Sequence, residues 1–220
     1  MGSSYGAAMT AEVRPRLRGI SHAAAFVAAL VVGVLFVGVA DGGRAGVAAV
    51  FAGSVVAMLG ASALYHRIDW SPRAYPWMRR IDHACIYLLI AGTYTPVGLL
   101  ALDGRLRWLV LGAVWVGAAV AMAVKICWAH APRWFTPVVG LALGWVGVVA
   151  LPQLVRVAEP AALALLAAGG LAYTAGALVY ARRRPDPIPT VFGYHEVFHA
   201  LTLVALACQY VAIAFFVVEV

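Results

Sequence analysis

Seven long apolar runs occupy most of this 220-residue chain and limit the folds open to it. A helix needs roughly 20 predominantly apolar residues to cross the hydrocarbon core of a bilayer, and each run approaches that length. The runs are continuously apolar instead of alternating, which favours helices over a β-barrel. The runs cover residues 23–40, 45–65, 84–102, 108–124, 134–151, 161–181 and about 197–218. The sequence therefore predicts an all-α integral membrane protein, a seven-transmembrane helix bundle.

The chain has too few polar residues to cover the surface of a soluble domain. Hydrophobic residues make up 64% of the chain and charged residues 11%, and the mean hydropathy is +0.91. We expect a short basic N-terminal segment, residues 1–18, to be disordered, because it lacks a hydrophobic period. Residues 19–220 then form one transmembrane domain.

The distribution of positive charge predicts the orientation of the bundle. The formal net charge is +7, but the basic residues occur in short clusters between apolar runs, which is typical of membrane topology signals and argues against nucleic-acid binding. Twelve of the 16 Lys and Arg residues fall on the side of the N-terminus: Arg14, Arg16, Arg18, Arg67, Arg73, Arg79, Arg80, Lys125, Arg133, Arg182, Arg183 and Arg184. Since positive loops face the cytoplasm, we expect the N-terminus inside, the C-terminus outside and a multi-pass protein of the plasma membrane.

A motif with metal-binding spacing precedes the last apolar run. His195 and His199 are four residues apart, so on a helix their imidazoles share one face and can reach a single metal ion. With Glu196 the motif reads H-E-x-x-H, in which the glutamate of a zinc protease is the general base. Taken alone, the pair is equally consistent with two interfacial histidines that hydrogen-bond neighbouring loops.

Other polar residues fall at the same predicted depth. Ser62 and His66 end the second run, again four residues apart, and Asp82 opens the third. Polar groups are costly in hydrocarbon, so ionisable residues there are functional candidates. Three imidazoles, His66, His195 and His199, with a fourth position left for water, suit zinc. Asp82 then either ligates the metal or takes a proton from the water, and Ser62 either orients the site or bonds back to its own helix.

The remaining histidines and Glu196 are weaker candidates. His22, at the edge of the first run, His83, turned away from Asp82 around the helix, and His130, in a basic loop, are predicted to be interfacial polar residues. Glu196 has an adequate electrostatic role near the basic cluster 182–184.

Three blocks of the chain together resemble the bacterial hemolysin III family, which is related to the progestin and adipoQ receptors, including the adiponectin receptors. The blocks are Ser62 to His66, Asp82 to Pro96 and His195 to His199. The resemblance implies seven helices with a cytoplasmic N-terminus. It also implies a zinc ion held by His66, His195 and His199, with Asp82 near the water at the zinc and Ser62 in the same signature. A membrane lipid or fatty-acyl ligand is the expected partner, and homo-oligomerisation is left open.

These observations lead to one principal hypothesis and three alternatives. The principal one is a zinc-dependent hydrolase of lipid amide or ester bonds, similar to the ceramidase-like activity attributed to adiponectin receptors, with Asp82 as the proton acceptor. The first alternative is a non-enzymatic membrane-homeostasis or sensing protein with structural zinc. The second is a pore-forming cytolysin, although the apolar runs carry no polar stripe. The third is an intramembrane protease with Glu196 as its base.

Overall fold

The computed structural model describes residues 15–128, 131–132 and 134–218, and these residues form seven helices long and apolar enough to cross a membrane. This confirms the predicted all-α bundle. The orientation of its termini stays a prediction. In chain order the helices are α1 (Ile20–Val39), α2 (Gly43–Arg67), α3 (Tyr75–Ala101), α4 (Gly104–Cys127), α5 (Phe135–Val157), α6 (Pro160–Arg182) and α7 (Tyr194–Val217).

Several helices begin before the apolar runs that reveal them. Helix α3 starts at Tyr75, well ahead of the apolar run that opens at residue 84, and carries Pro76 in its first turn, where the missing N–H needs no partner. Asp82 therefore lies inside α3 instead of at its start. Helix α7 likewise starts at Tyr194, so its first two turns carry His195 and His199.

Two helices change their winding within the membrane-spanning part. Pro96 lies inside α3 and is followed by a π-helical turn over Val97–Ala101, consistent with the hydrogen bond that a proline removes. Helix α5 contains a 3₁₀ stretch, Trp145–Ala150. The Tyr94 hydroxyl of α3 lies against this stretch. It donates to the Gly144 carbonyl and accepts the N–H of Gly147, with an N···O distance of 2.7 Å.

Helices α2 and α3 form the centre of the bundle. In the most apolar 18-residue part of each helix, 61% of the residues of α2 and 50% of those of α3 are buried, compared with at most 33% in any other of the seven helices. Helix α1 packs against α2 and α7, α2 against α3, α3 against α4, and α6 against α7. The main core cluster includes Phe36, Phe51, Leu59, Leu206 and Ile213. Side chains such as Val34, which is 73% exposed, face outward as expected for contact with lipid.

The last residues of the segment predicted to be disordered are held against the loop between α6 and α7. Arg16 and Leu17 donate their backbone N–H groups to the carbonyls of Thr190 and Val191, at 3.0 and 3.1 Å. Partners distant in the chain thus satisfy the backbone N–H groups of Arg16 and Leu17, while Arg18 donates to the Pro15 carbonyl within the segment. Residues 1–14 lie outside the described part of the chain.

Candidate metal centre

Three histidines from two helices converge at one end of the bundle. His66 comes from the last turn of α2, while His195 and His199 share one face of α7. One nitrogen from each ring can be chosen so that all three lie within 4.8 Å of one another. His66 and His199 are buried, with 5% and 2% exposure, and His195 is partly buried. The structure therefore brings together the three predicted ligands.

The spacing of these nitrogens suits a metal ion. His66 Nε2 and His195 Nε2 are 3.2 Å apart. In a tetrahedral site with Zn–N distances of about 2.0–2.1 Å, two ligand nitrogens are separated by about 3.3 Å. A direct hydrogen bond between two neutral rings also fits 3.2 Å, but it would involve only two of the three histidines. His199 Nδ1 is buried and has no hydrogen-bond partner among the described residues, so this ring has a nitrogen still to be satisfied.

Asp82 lies beside the cluster. Its side chain is buried, and the group of mutually close ligand atoms consists of the three histidines without it. The carboxylate lies near the start of α3, which packs against α2, the helix that carries His66. Its Oδ2 is 3.4 Å from Nδ1 of His83, which also lies 2.7 Å from the Arg79 carbonyl. Among the described residues, the basic partner of Asp82 is thus His83, the next residue on its own helix.

Ser62 and His22 form a pair next to the predicted ligands. His22 Nδ1 and Ser62 Oγ are hydrogen-bonded at 2.8 Å. The His22 ring also stacks on the His199 ring, with centroids 3.7 Å apart and planes 8° from parallel. The prediction that His22 is an interfacial polar residue is wrong: it is 2% exposed and belongs to the site. The sequence signal for His22 is the same as for His66 and Asp82, namely an ionisable residue at the boundary of an apolar run.

Comparisons with known proteins place the chain in one family. A sequence model of the family described as "Haemolysin-III related" matches residues 10–210. The chain belongs to this family. It is 30% identical to the "Hemolysin-3 homolog" of Bacillus subtilis (strain 168) over 171 residues, 78% of this chain and 77% of that protein. It is 31% identical to the "Hemolysin-3" of Bacillus cereus over 156 residues, 71% of this chain and 68% of that protein.

Glu196 of this haemolysin-III chain is engaged away from the histidines. Its Oε1 accepts from Arg18 Nε, and its Oε2 accepts the backbone N–H of Gly193 at 2.9 Å, which caps the start of α7. Glu196 is only 3% exposed. Its cationic partner is thus Arg18 and not the 182–184 cluster that the sequence suggested. With both oxygens occupied, Glu196 is poorly suited to be the base of an H-E-x-x-H protease.

One further histidine of the described residues, His83, contributes no ligand to the cluster. His83 is partly exposed, and its Nδ1 lies 2.7 Å from the carbonyl of Arg79 on its own helix. The expectation that His83 is turned away from Asp82 is wrong, because the same nitrogen lies 3.4 Å from Asp82 Oδ2. His130 lies outside the described residues.

Proposed function

We propose that this haemolysin-III protein is a zinc-dependent hydrolase of lipid amide or ester bonds in the plasma membrane. The observation that carries the proposal is the convergence of three imidazole nitrogens within 4.8 Å inside a membrane-spanning bundle. Three neutral nitrogens with an open fourth position are the donor set of catalytic zinc. The positive-inside distribution of Lys and Arg supports a site near the cytoplasmic face.

The residues around the cluster supply the rest of a hydrolytic reaction. His66, His195 and His199 would hold the zinc, which when bound polarises a carbonyl and makes water acidic near neutral pH. Asp82 takes a proton from the attacking water at its carboxylate. When the carbonyl carbon–nitrogen bond of an amide breaks, the same proton passes to the leaving nitrogen, so the products are a carboxylic acid and an amine. An ester gives an acid and an alcohol by the same route.

An apolar groove supports a fatty-acyl substrate. The groove is open, has a volume of about 300 Å³, lies between α1, α2 and α7, and is lined almost entirely by apolar side chains. Its lining includes Ala25, Leu59 and Leu203, which lie about one helical turn from His22, Ser62 and His199 respectively. The groove therefore begins about one helical turn further into the membrane-spanning part than the polar cluster. An acyl chain lying there would keep its carbonyl end at the histidines.

The test is a comparison of two carboxylate variants in detergent-purified protein. Asp82→Asn is expected to retain zinc and to lose most hydrolysis of an N-acyl amide lipid, about 100-fold or more for a lost proton acceptor. Glu196→Gln is expected to retain turnover at a temperature where it stays folded. Unchanged hydrolysis by Asp82→Asn would contradict the role of Asp82, and loss of lipid hydrolysis in Glu196→Gln alone would make Glu196 the base in its place.

Structural zinc in a membrane-homeostasis or sensing protein is the second candidate. The observation that favours it is that the ligands come from two separate helices, so one ion would tie the end of α2 to the start of α7. In that case removing zinc with a chelator would lower the unfolding temperature, and Asp82→Asn would change nothing measurable.

A further inference from the structure

The rotamer preferences of His199 do not by themselves fix the orientation of its ring. The torsion that turns an imidazole about its Cβ–Cγ bond has broad preferences, so a metal-binding histidine is normally held by its surroundings. For His199 the closest aromatic contact is the parallel stack with His22, at 3.7 Å between centroids. A ring held face to face cannot rotate far before its edge meets its neighbour. The stack therefore restricts the direction in which the His199 nitrogens point.

His22 is itself held firmly in place. The Ser62 hydroxyl bonds its Nδ1 at 2.8 Å, and Ser62 lies one turn before His66 on α2. Gly19, just before α1, has a φ of +75° and packs so closely on His66 that a β-carbon at residue 19 would overlap the Cβ of His66. The start of α1 is thus locked between the two helices that carry the predicted ligands. Through Ser62 and His199, His22 contacts both of them.

We propose that His22 is a positioning residue, which holds the His199 ring in its metal-binding orientation by stacking on it. The inference rests on the proposed function, because it needs a metal at His199. His22 is not one of the three residues whose ligand atoms lie within 4.8 Å of one another, so it acts through His199 and not as a ligand. The Ser62 hydroxyl fixes the plane of the His22 ring.

Cobalt(II) is a suitable probe because it takes zinc sites and its visible absorption reports the ligand geometry. Detergent-purified full-length protein is stripped with a chelator and titrated with Co²⁺ against a competing indicator. His22→Ala is expected to weaken Co²⁺ binding about 10- to 100-fold, the range for residues that support a metal-binding histidine, and to change the visible spectrum. His22→Phe keeps a flat ring over His199 and is expected to restore most of the affinity and the parent spectrum.

A matched control separates positioning from general packing. Phe26 is one turn further along α1, and its ring lies 2.9 Å from where a β-carbon at Gly60 would be. Phe26→Ala should reduce stability but leave Co²⁺ affinity and spectrum unchanged. If His22→Ala fails to fold, His22→Asn replaces it, since Asn can bond Ser62 but has no ring. Weak binding by the Asn variant beside strong binding by the Phe variant supports the proposal.

The outcomes distinguish this inference from the proposed function. Three outcomes would overturn the positioning role alone. The first is Co²⁺ binding as strong as the parent's in His22→Ala or His22→Asn, and the second is a His22→Phe variant that binds no better than these two. The third is a loss of Co²⁺ affinity in Phe26→Ala equal to the loss in His22→Ala. A parent protein that binds no Co²⁺ overturns both proposals. A parent that binds Co²⁺ through a His22-dependent site but hydrolyses no lipid overturns the hydrolase and leaves the positioning role supported.

Discussion

Single residues in this chain have roles that depend on contacts made far away in the sequence. Glu196 occupies the position of a general base in H-E-x-x-H, yet its two oxygens bond Arg18 and the N–H of Gly193. The motif alone therefore predicts that the two histidines share one helix face, but it does not predict the partners of the glutamate. In the proposed function the proton acceptor is instead Asp82, a carboxylate from a different helix.

The Arg18–Glu196 pair should be asymmetric in its effect on stability. The Glu196 side chain is 3% exposed and the Arg18 side chain 22%, so removing the arginine leaves the more deeply buried charge unpaired. Breaking a buried pair costs about 3–5 kcal/mol, and this partly exposed pair belongs at the lower end. We expect Arg18→Gln to lower the thermal unfolding temperature in detergent by more than Glu196→Gln does. The exposed Arg16→Gln is the control, and an equal effect of all three variants would contradict the account.

The role of His22 could not be predicted from the sequence around it. His195 and His199 are recognisable because a spacing of four residues puts both on one helix face. His22 has no such partner in its own helix, and its contacts with Ser62 and His199 exist only because α1 packs between α2 and α7. Helix periodicity carries no information about that packing.

At the scale of the helices, hydropathy predicted all seven elements but not where they begin or how they wind. Helix α3 starts at Tyr75 because a helix continues past its apolar part wherever its backbone hydrogen bonds can form. The 3₁₀ stretch of α5 is hydrogen-bonded by Tyr94 of α3, a tertiary contact that the sequence of α5 does not contain.

The Tyr94 hydroxyl should stabilise that 3₁₀ stretch measurably. It satisfies the Gly144 carbonyl and the Gly147 N–H together, so Tyr94→Phe leaves two backbone groups without this partner. We expect a loss of about 1–3 kcal/mol and faster amide hydrogen exchange over residues 144–150. As a comparison, Trp145→Phe removes one bond, to Thr174, and should cost less. Unchanged exchange over residues 144–150 in Tyr94→Phe would show that the stretch does not depend on the hydroxyl.

At the scale of the whole molecule, the charge distribution predicts which end of the bundle faces the cytoplasm. Helix α4 ends at Cys127, an exposed cysteine on the side predicted to be cytoplasmic. With Cys85 and Cys208 replaced by serine, a membrane-impermeant thiol reagent should label Cys127 in inside-out vesicles and not in intact cells. A cysteine introduced at Asp103, in the turn between α3 and α4, should show the opposite pattern. Labelling of Cys127 in intact cells would reverse the predicted orientation and move the site to the outer face.

The zinc content of the purified chain tests the central claim most directly. Elemental analysis after chelator-free purification in detergent should find about one zinc ion per parent chain. His199→Ala should retain markedly less, because it loses one of three converging nitrogens, while His83→Gln, which changes a histidine outside the cluster, should match the parent. A parent chain without zinc, or a His199→Ala variant that retains as much as the parent, would contradict the metal centre.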